Sequence, residues 1–324
     1  MLSEVGNPAW IYRVTIIMNM MSEKRAGKER GAVHTVIDAL IALALVGGIF
    51  LAMFGFSGNW PPLVVVESKS MQHSQTDSFI GTMDTGDLVM NRKVGAVSEV
   101  TTYLAGKESN YTAFGSYGDV VIYWRDGDKS LTPIIHRVVL YLTANDDGSF
   151  AAPELQQHTE GVGYDFIDSA DSWSRITDDI VIHHYGYSDQ ELNVPISTMI
   201  DYAHIRGTAL HDGFITKGDF NQEVDQRLGI TKNREPVPFD WIIGKALGEI
   251  PWVGVIKLWF TNTLPGDTPS NSIVSIEICI AAIIALPVAS ETYIFWKGRK
   301  PEIPGKPIEP EKEETKQDDG ENRS

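Results

Sequence analysis

Two long apolar stretches constrain this chain more than any other feature of its sequence. The first runs from Ala39 to Phe56 without a charged residue and, extended back to Val33, reaches the ~20 residues that cross a bilayer. A basic segment, SEKRAGKERGA, precedes it, and no small-residue cleavage site follows it. We therefore expect an uncleaved transmembrane anchor at 33–56, with a helix buried in a soluble core as the alternative.

The second stretch, Ile273 to Trp296, is interrupted by Glu277, Pro287 and Glu291 and is followed by the basic sequence KGRK. We expect a second transmembrane helix at 272–296, since membrane helices tolerate proline. Basic residues mark the cytoplasmic end of a span. The two spans therefore predict a cell-membrane protein with residues 57–270 on the extracytoplasmic side and both termini in the cytoplasm.

The two ends of the chain are expected to contribute no chemistry. Residues 1–32 form the predicted cytoplasmic N-terminal segment, whose first 20 residues are either an interfacial helix or an extension ahead of a true start at Met21. Residues 297–324 are rich in Pro, Glu and Lys and have too few large apolar side chains to fold, so they predict a disordered cytoplasmic tail.

The charge balance excludes several classes of protein. Asp and Glu exceed Lys and Arg by 43 to 27, a net charge of −16 that is unsuited to general nucleic-acid binding. The only cysteine, Cys279, excludes an intrachain disulfide framework and a multi-cysteine zinc site. We predict no cofactor and no metal ion.

An acidic block at 141–212 supplies most of this charge. It holds 13 Asp or Glu and no Lys, with Arg175 and Arg206 as its only strong cations. We expect a surface-exposed insertion whose acidity reflects a solvated face or a saline environment, with cation binding as the alternative. Histidines lie in or beside the block at His183, His184, His204 and His211.

Short β-branched runs between turn residues dominate the region outside the anchors. They predict strands at Leu63–Glu67, Asp87–Met90, Asp119–Trp124, Ile134–Leu142, Ile180–His183 and Gly213–Thr216. Outside the anchors, only residues 241–260 show a long period of 3.6. The expected fold is therefore mainly β, with an antiparallel domain between the two membrane helices.

Three short segments contain residues able to carry chemistry. Ser70 lies in ESKSM, in a turn after a predicted strand, where a hydroxyl is accessible but needs a base. His136 interrupts an apolar strand, where a histidine is either a satisfied core residue or a general base, the role to which the imidazole group is suited. Asp219 and Asp225 lie six residues apart after another strand, and either carboxylate could orient a histidine. Each segment alone is a weak signal.

Taken in order, these segments resemble type I signal peptidases of the archaeal and endoplasmic-reticulum branch. The similar segments are ESKSM at 67–71, GDLV at 86–89, GDVVIY at 118–123, IIHRVV at 134–139, ITKGDFNQEVD at 215–225 and IIGKALGEIPWVG at 242–254. They follow a membrane anchor, and the scaffold between them covers about 60–260. The resemblance implies a signal-peptidase-like β domain and a membrane-bound serine endopeptidase that removes signal peptides after small residues.

The resemblance also implies a role for individual residues. Ser70 is the expected nucleophile, His136 the expected base and Asp225 the residue that orients it, with Asp219 as a supporting carboxylate or a rival for that role. Ser68, with the backbone N–H of Ser70, is expected to stabilise the oxyanion. The expected oxyanion and substrate-binding residues are Ser68 and Met71. The implied partners are signal peptides of secretory preproteins, membrane lipid and the translocation machinery.

The chain departs from the family pattern in three respects. Met71 is followed by Gln-His-Ser, Phe220 replaces an asparagine, and the distance along the chain from His136 to Asp219 is lengthened by the acidic block. Two alternatives therefore remain open. One is a catalytically inactive surface protein on the same fold, and the other is a membrane-anchored binding or adhesion module.

Overall fold

The computed structural model describes residues 36–157 and 163–298. The predicted N-terminal segment 1–32, the start of the predicted anchor and the tail beyond 298 lie outside the described residues. The chain divides into two compact units, Met1–Ile276 and Glu277–Ser324. The second unit contributes only the later part of one helix to the described chain.

The described residues form six α-helices, two of them long and apolar. They are α1 (Val36–Ser57), α2 (Tyr103–Ser109), α3 (Ile196–Arg206), α4 (Asp225–Leu228), α5 (Val255–Thr261) and α6 (Ser270–Gly298). By length and composition alone, Val36–Ser57 and Ser270–Lys297 could each cross a membrane, with mean hydropathies of 2.5 and 2.3. The two predicted membrane helices therefore correspond to two candidate membrane-spanning helices.

Twelve strands are described in the same part of the chain. They are β1 (Leu63–Val65), β2 (Leu88–Arg92), β3 (Thr112–Ala113), β4 (Ser116–Tyr117), β5 (Val120–Tyr123), β6 (Ile134–Ala144), β7 (Phe150–Ala151), β8 (Tyr164–Phe166), β9 (Ile180–Tyr185), β10 (Gln190–Val194), β11 (Gly213–Lys217) and β12 (Ile242–Ile250). The main sheet has the order β1-β2-β12-β5-β6-β11, with β7 also paired to β6. A second sheet has the order β10-β9-β8, and β3 pairs with β4.

The predicted fold class is confirmed only in its coarser part. The sheets are antiparallel, but helix accounts for 37% and strand for 24% of the described residues, so the fold is mixed α/β and "mainly β" describes it only roughly. Each of the six predicted strand segments contains a strand. The 3.6-residue period at 241–260 was misleading, because this segment forms β12 followed by the short helix α5.

Strand β6 organises the site because it pairs on both sides. Its apolar, β-branched sequence, IIHRVVLYLTA, suits a buried strand. His136 lies opposite Val121 of β5, and Arg137 lies opposite Lys217 of β11. Successive side chains in a strand point to opposite faces, so the side chains of His136 and Arg137 lie on opposite faces of the sheet.

The acidic insertion is not a detached subdomain. Apolar side chains from it share one hydrophobic core with the scaffold, including Phe150, Ile180 and Leu192 from the insertion and Leu140 and Ile215 from the main sheet. Its first residues continue β6, and its strands β8 to β10 build the second sheet. The insertion therefore packs its apolar side against the sheet that carries the candidate site.

Three carboxyl groups lie close together where β12 ends and β2 begins. Burial, together with the charges of the neighbouring Asp87 and Asp84, raises the pKa of Glu249 to about 7. Burial likewise raises the pKa of Asp87 to about 6. The folded state holds these protons more tightly than the unfolded state does. The stability they provide is therefore complete below about pH 4 and is lost as the pH rises through about 6 to 7.

Replacing Glu249 by Gln should remove part of this pH dependence. At pH 8 we expect the variant to melt about 2–4 °C above the wild type, because it no longer holds a buried charge beside two carboxylates. At pH 5 the two should melt together, since Glu249 is then protonated. Thermal midpoints in one detergent would measure this, with exposed Glu108→Gln as the control. An equal difference at both pH values would contradict the interpretation.

Candidate active site

Ser70 lies in a short turn that follows β1. The 3-10 turn Lys69–Met71 ends the extended segment, and it leaves Ser68 exposed and Ser70 half-buried. The Ser70 Oγ lies 3.2 Å from the Ser68 Oγ. The two hydroxyls that the resemblance assigns to attack and to oxyanion stabilisation are therefore neighbours.

His136 is buried in β6 and is held by Asp225. Its Nδ1 lies 2.7 Å from Asp225 Oδ2, and both side chains are almost completely buried. Asp225 begins helix α4, which brings its carboxylate across to the strand. The distance is that of a strong, charge-assisted hydrogen bond.

The carboxylate of Asp225 is fixed by two further donors. The Tyr123 hydroxyl donates to Oδ2 at 2.8 Å, and the Thr216 hydroxyl donates to the same oxygen at 2.6 Å. A carboxylate only accepts hydrogen bonds, so we assign the proton between Asp225 and His136 to Nδ1 from this network. In the neutral ring with this tautomer, the other nitrogen, Nε2, has no proton and can act as a base.

Gly218 marks the point where the parts of the site converge. A Cβ on Gly218 would stand 2.5 Å from the Ser70 carbonyl oxygen, 2.8 Å from Asn221 Nδ2 and 2.9 Å from His136 Nε2. Only glycine fits there, and its lack of a side chain lets the Ser70 turn approach the histidine. Among the described residues, the Ser70 hydroxyl bonds to Ser68 and forms no hydrogen bond with His136. Catalytic hydrogen bonds are often loose without substrate.

Asp219 belongs to a different network from Asp225. The buried guanidinium of Arg137 donates to it twice, from Nε at 2.8 Å and from Nη2 at 2.6 Å. His73 Nε2 lies 2.9 Å from the same carboxylate. Burial raises the pKa of Asp219, but the charge and hydrogen bonds of Arg137, together with the contact with His73, outweigh burial and hold that pKa well below its usual range. The structure therefore brings Asp225, and not Asp219, to His136.

Lys217 is buried next to this turn and does not line the cleft. Burial lowers the pKa of Lys217 to about 8. Its Nζ donates to the Gly218 carbonyl at 3.1 Å and lies 5.1 Å from the centre of the Tyr185 ring. Lys217 therefore stabilises the backbone at Gly218, which faces the Ser70 turn.

A cleft of about 620 Å³ opens beside these groups. Its lining is mostly apolar, and its polar and charged side chains are Glu67, Ser68, Ser70, Arg125, Thr132, His136 and Asn221. Met71, a predicted substrate-binding residue, is instead buried in a hydrophobic cluster and does not line the cleft. The cleft can accept an extended apolar peptide with its backbone close to Ser70.

Several residues of the site were not identified from the sequence. Arg137 offered a signal, because a cation inside an apolar strand needs a buried partner. Tyr123, Thr216 and His73 offered none, since hydroxyl and imidazole groups at those positions are common in ordinary turns and strands. Their contribution depends on distances between strands that are far apart in sequence.

Comparisons with known proteins add no further assignment. No protein-family model matches the chain, and the comparison with curated proteins gives no match. Within 36–157 and 163–298, no group of three or more His, Cys, Asp or Glu side chains is arranged to hold a metal ion.

Proposed function

We propose that this chain is a membrane-bound serine endopeptidase that removes signal peptides from secreted preproteins. The observation that carries the proposal is the Asp225–His136 pair at 2.7 Å, whose free Nε2 faces the Ser70 turn across Gly218. A buried carboxylate, an oriented imidazole and a neighbouring hydroxyl are the three groups that acyl transfer by serine requires. The order of the six similar sequence segments supports the same activity.

Each residue of the site has its own role in the proposed reaction. The Ser70 hydroxyl turns from Ser68 towards His136, whose Nε2 takes its proton as the Ser70 oxygen attacks the scissile carbonyl. The backbone N–H of Ser70 and the Ser68 hydroxyl stabilise the oxyanion. His136 then protonates the leaving amine, and water attacks the resulting ester with His136 again as base. Asp225 stabilises the charged imidazole in both steps.

Substrate binding follows from the open strand edges beside the cleft. Four antiparallel pairings separate β1 from β6, so the two strands run in the same direction. β1 ends the sheet, and β11 reaches only as far as Arg137 on β6, which leaves residues 134–136 unpaired on that side. An extended peptide can add to such edges by backbone hydrogen bonds.

The membrane topology belongs to the same proposal. The basic residues that precede α1 and follow α6 support a topology with both termini in the cytoplasm and the site on the outer side of the cell membrane. Ser70 lies a short distance along the chain from the end of α1, which holds the nucleophile near the membrane surface. Preproteins that emerge from the translocation machinery would present their cleavage sites there.

A matched pair of preproteins tests the proposal. The full chain in detergent or lipid nanodiscs should cut a preprotein with Ala before the scissile bond. It should cut a variant with Trp at that position at least 100-fold more slowly, because the resemblance implies pockets beside the scissile bond that accept only small side chains. Mass spectrometry of the new N-terminus would locate the cut. Absence of cleavage in a panel of preproteins would favour the inactive surface protein instead.

A further inference from the structure

The tip of the hairpin β9–β10 lies against the catalytic framework. Residues 186–189 connect the two strands, and the Tyr187 ring stacks on the His73 ring at 4.2 Å with an angle of 25° between the planes. His73 is three residues beyond Ser70. The acidic insertion therefore contacts the segment that carries the nucleophile.

The scaffold holds this hairpin tip in place. The Tyr103 hydroxyl of α2 accepts a hydrogen bond from the Gly186 N–H at 2.9 Å and donates to the His184 carbonyl at 3.3 Å. The buried Tyr185 ring packs against the Tyr103 ring and under the Lys217 ammonium group. The position of Tyr187 is thus determined by contacts with elements outside the insertion.

His73 connects Tyr187 to the Asp219 turn, which faces Ser70. Its Nε2 bonds to Asp219, and the N–H of the next residue, Phe220, donates to the Ser70 carbonyl at 2.8 Å. On the other side, a Cβ on Gly115 would stand 2.9 Å from His73 Cε1, so the ring has little room to move. Tyr187, His73 and the Asp219 turn form one continuous set of contacts that ends at Ser70.

We propose that Tyr187 is a positioning residue, through which the inserted hairpin keeps the Ser70 turn in place by way of His73 and Asp219. This inference rests on the proposed peptidase function. It gives the insertion a role in the reaction that involves no contact with substrate and does not depend on its acidity.

Three variants of the full chain test the proposal. Tyr187→Ala should lower kcat about five- to tenfold with KM unchanged, the range that loss of one aromatic pair can produce. Tyr187→Phe, which keeps the ring, should behave as the wild type. Tyr202→Ala is the matched control, because Tyr202 lies in the same insertion with similar exposure but packs on Arg234. Its kcat should not change.

A double-mutant cycle separates positioning from general stability. If Tyr187 acts through His73, then Tyr187→Ala should have no further effect on kcat in a His73→Ala background. An undiminished effect in that background would overturn the proposal, as would an unchanged kcat for Tyr187→Ala. So would a loss of kcat matched by a fall in thermal midpoint that Tyr187→Phe does not rescue.

Hydrogen exchange gives a reading that does not depend on catalysis. The Phe220 amide, which donates to the Ser70 carbonyl, should exchange faster in Tyr187→Ala than in the wild type or in Tyr202→Ala. If the wild type cleaves no preprotein, the proposed function fails, but faster exchange would still establish the contact pathway. Unchanged exchange at Phe220 would refute the positioning role by itself.

Discussion

Replacing Ser70 by Ala should abolish preprotein cleavage while leaving the protein folded. The change removes only the attacking oxygen, and loss of a serine nucleophile lowers kcat by about six orders of magnitude in serine proteases. The half-buried side chain loses one hydrogen bond, to Ser68, so the thermal midpoint should stay within about 2 °C. Cleavage measured by mass spectrometry and melting in the same detergent would test both parts.

Ser68→Ala is the control for this experiment. It removes the neighbouring hydroxyl and leaves the nucleophile, so we expect cleavage to persist at about 10²-fold below wild type, as for the loss of one oxyanion donor. Near-normal cleavage by Ser70→Ala would show that Ser70 is not the nucleophile. Equal and complete loss in both variants would point to disruption of the turn.

Asp225→Asn should lower kcat by about 10⁴-fold, the second large effect expected. An amide removes the negative charge that stabilises the protonated imidazole, and its nitrogen, where it faces His136, favours the wrong imidazole tautomer, as it does in the triad of serine proteases. The Tyr123 and Thr216 hydroxyls meet the same oxygen of Asp225, Oδ2, as His136 does. A hydroxyl can accept a hydrogen bond as well as donate one, so both can adapt to an amide nitrogen at this point and the fold should survive. The cleavage rate and the thermal midpoint are measured together.

Asp219→Asn is the comparison for that variant. We expect it to lower the stability more, and kcat less, than Asp225→Asn does. It leaves the buried Arg137 guanidinium without its anion, a loss of about 3–5 kcal/mol that corresponds to a fall of roughly 10 °C in thermal midpoint. Its effect on kcat below the melting transition should be smaller than that of Asp225→Asn. A stable but inactive Asp219→Asn beside a nearly normal Asp225→Asn would transfer the orienting role to Asp219.

The order of motifs along the chain predicted part of the candidate site. Ser70, His136 and the two aspartates were selected because their short segments occur in the order of the peptidase family that the sequence resembles; each segment alone was a weak signal. The choice between Asp219 and Asp225 stayed open, since both lie in one short segment. It depends on Arg137, whose guanidinium holds Asp219 away from the histidine.

The two apolar helices, the six strand segments and the residues that could carry chemistry were predictable from the amino-acid sequence, because hydrophobic length, β-branched runs and residue type are local properties. Three features became known only from the folded chain: 242–250 is a strand, Asp225 meets His136, and the insertion contacts His73. These features depend on pairing and packing between residues that are distant in the chain. No local pattern of side chains encodes such distances.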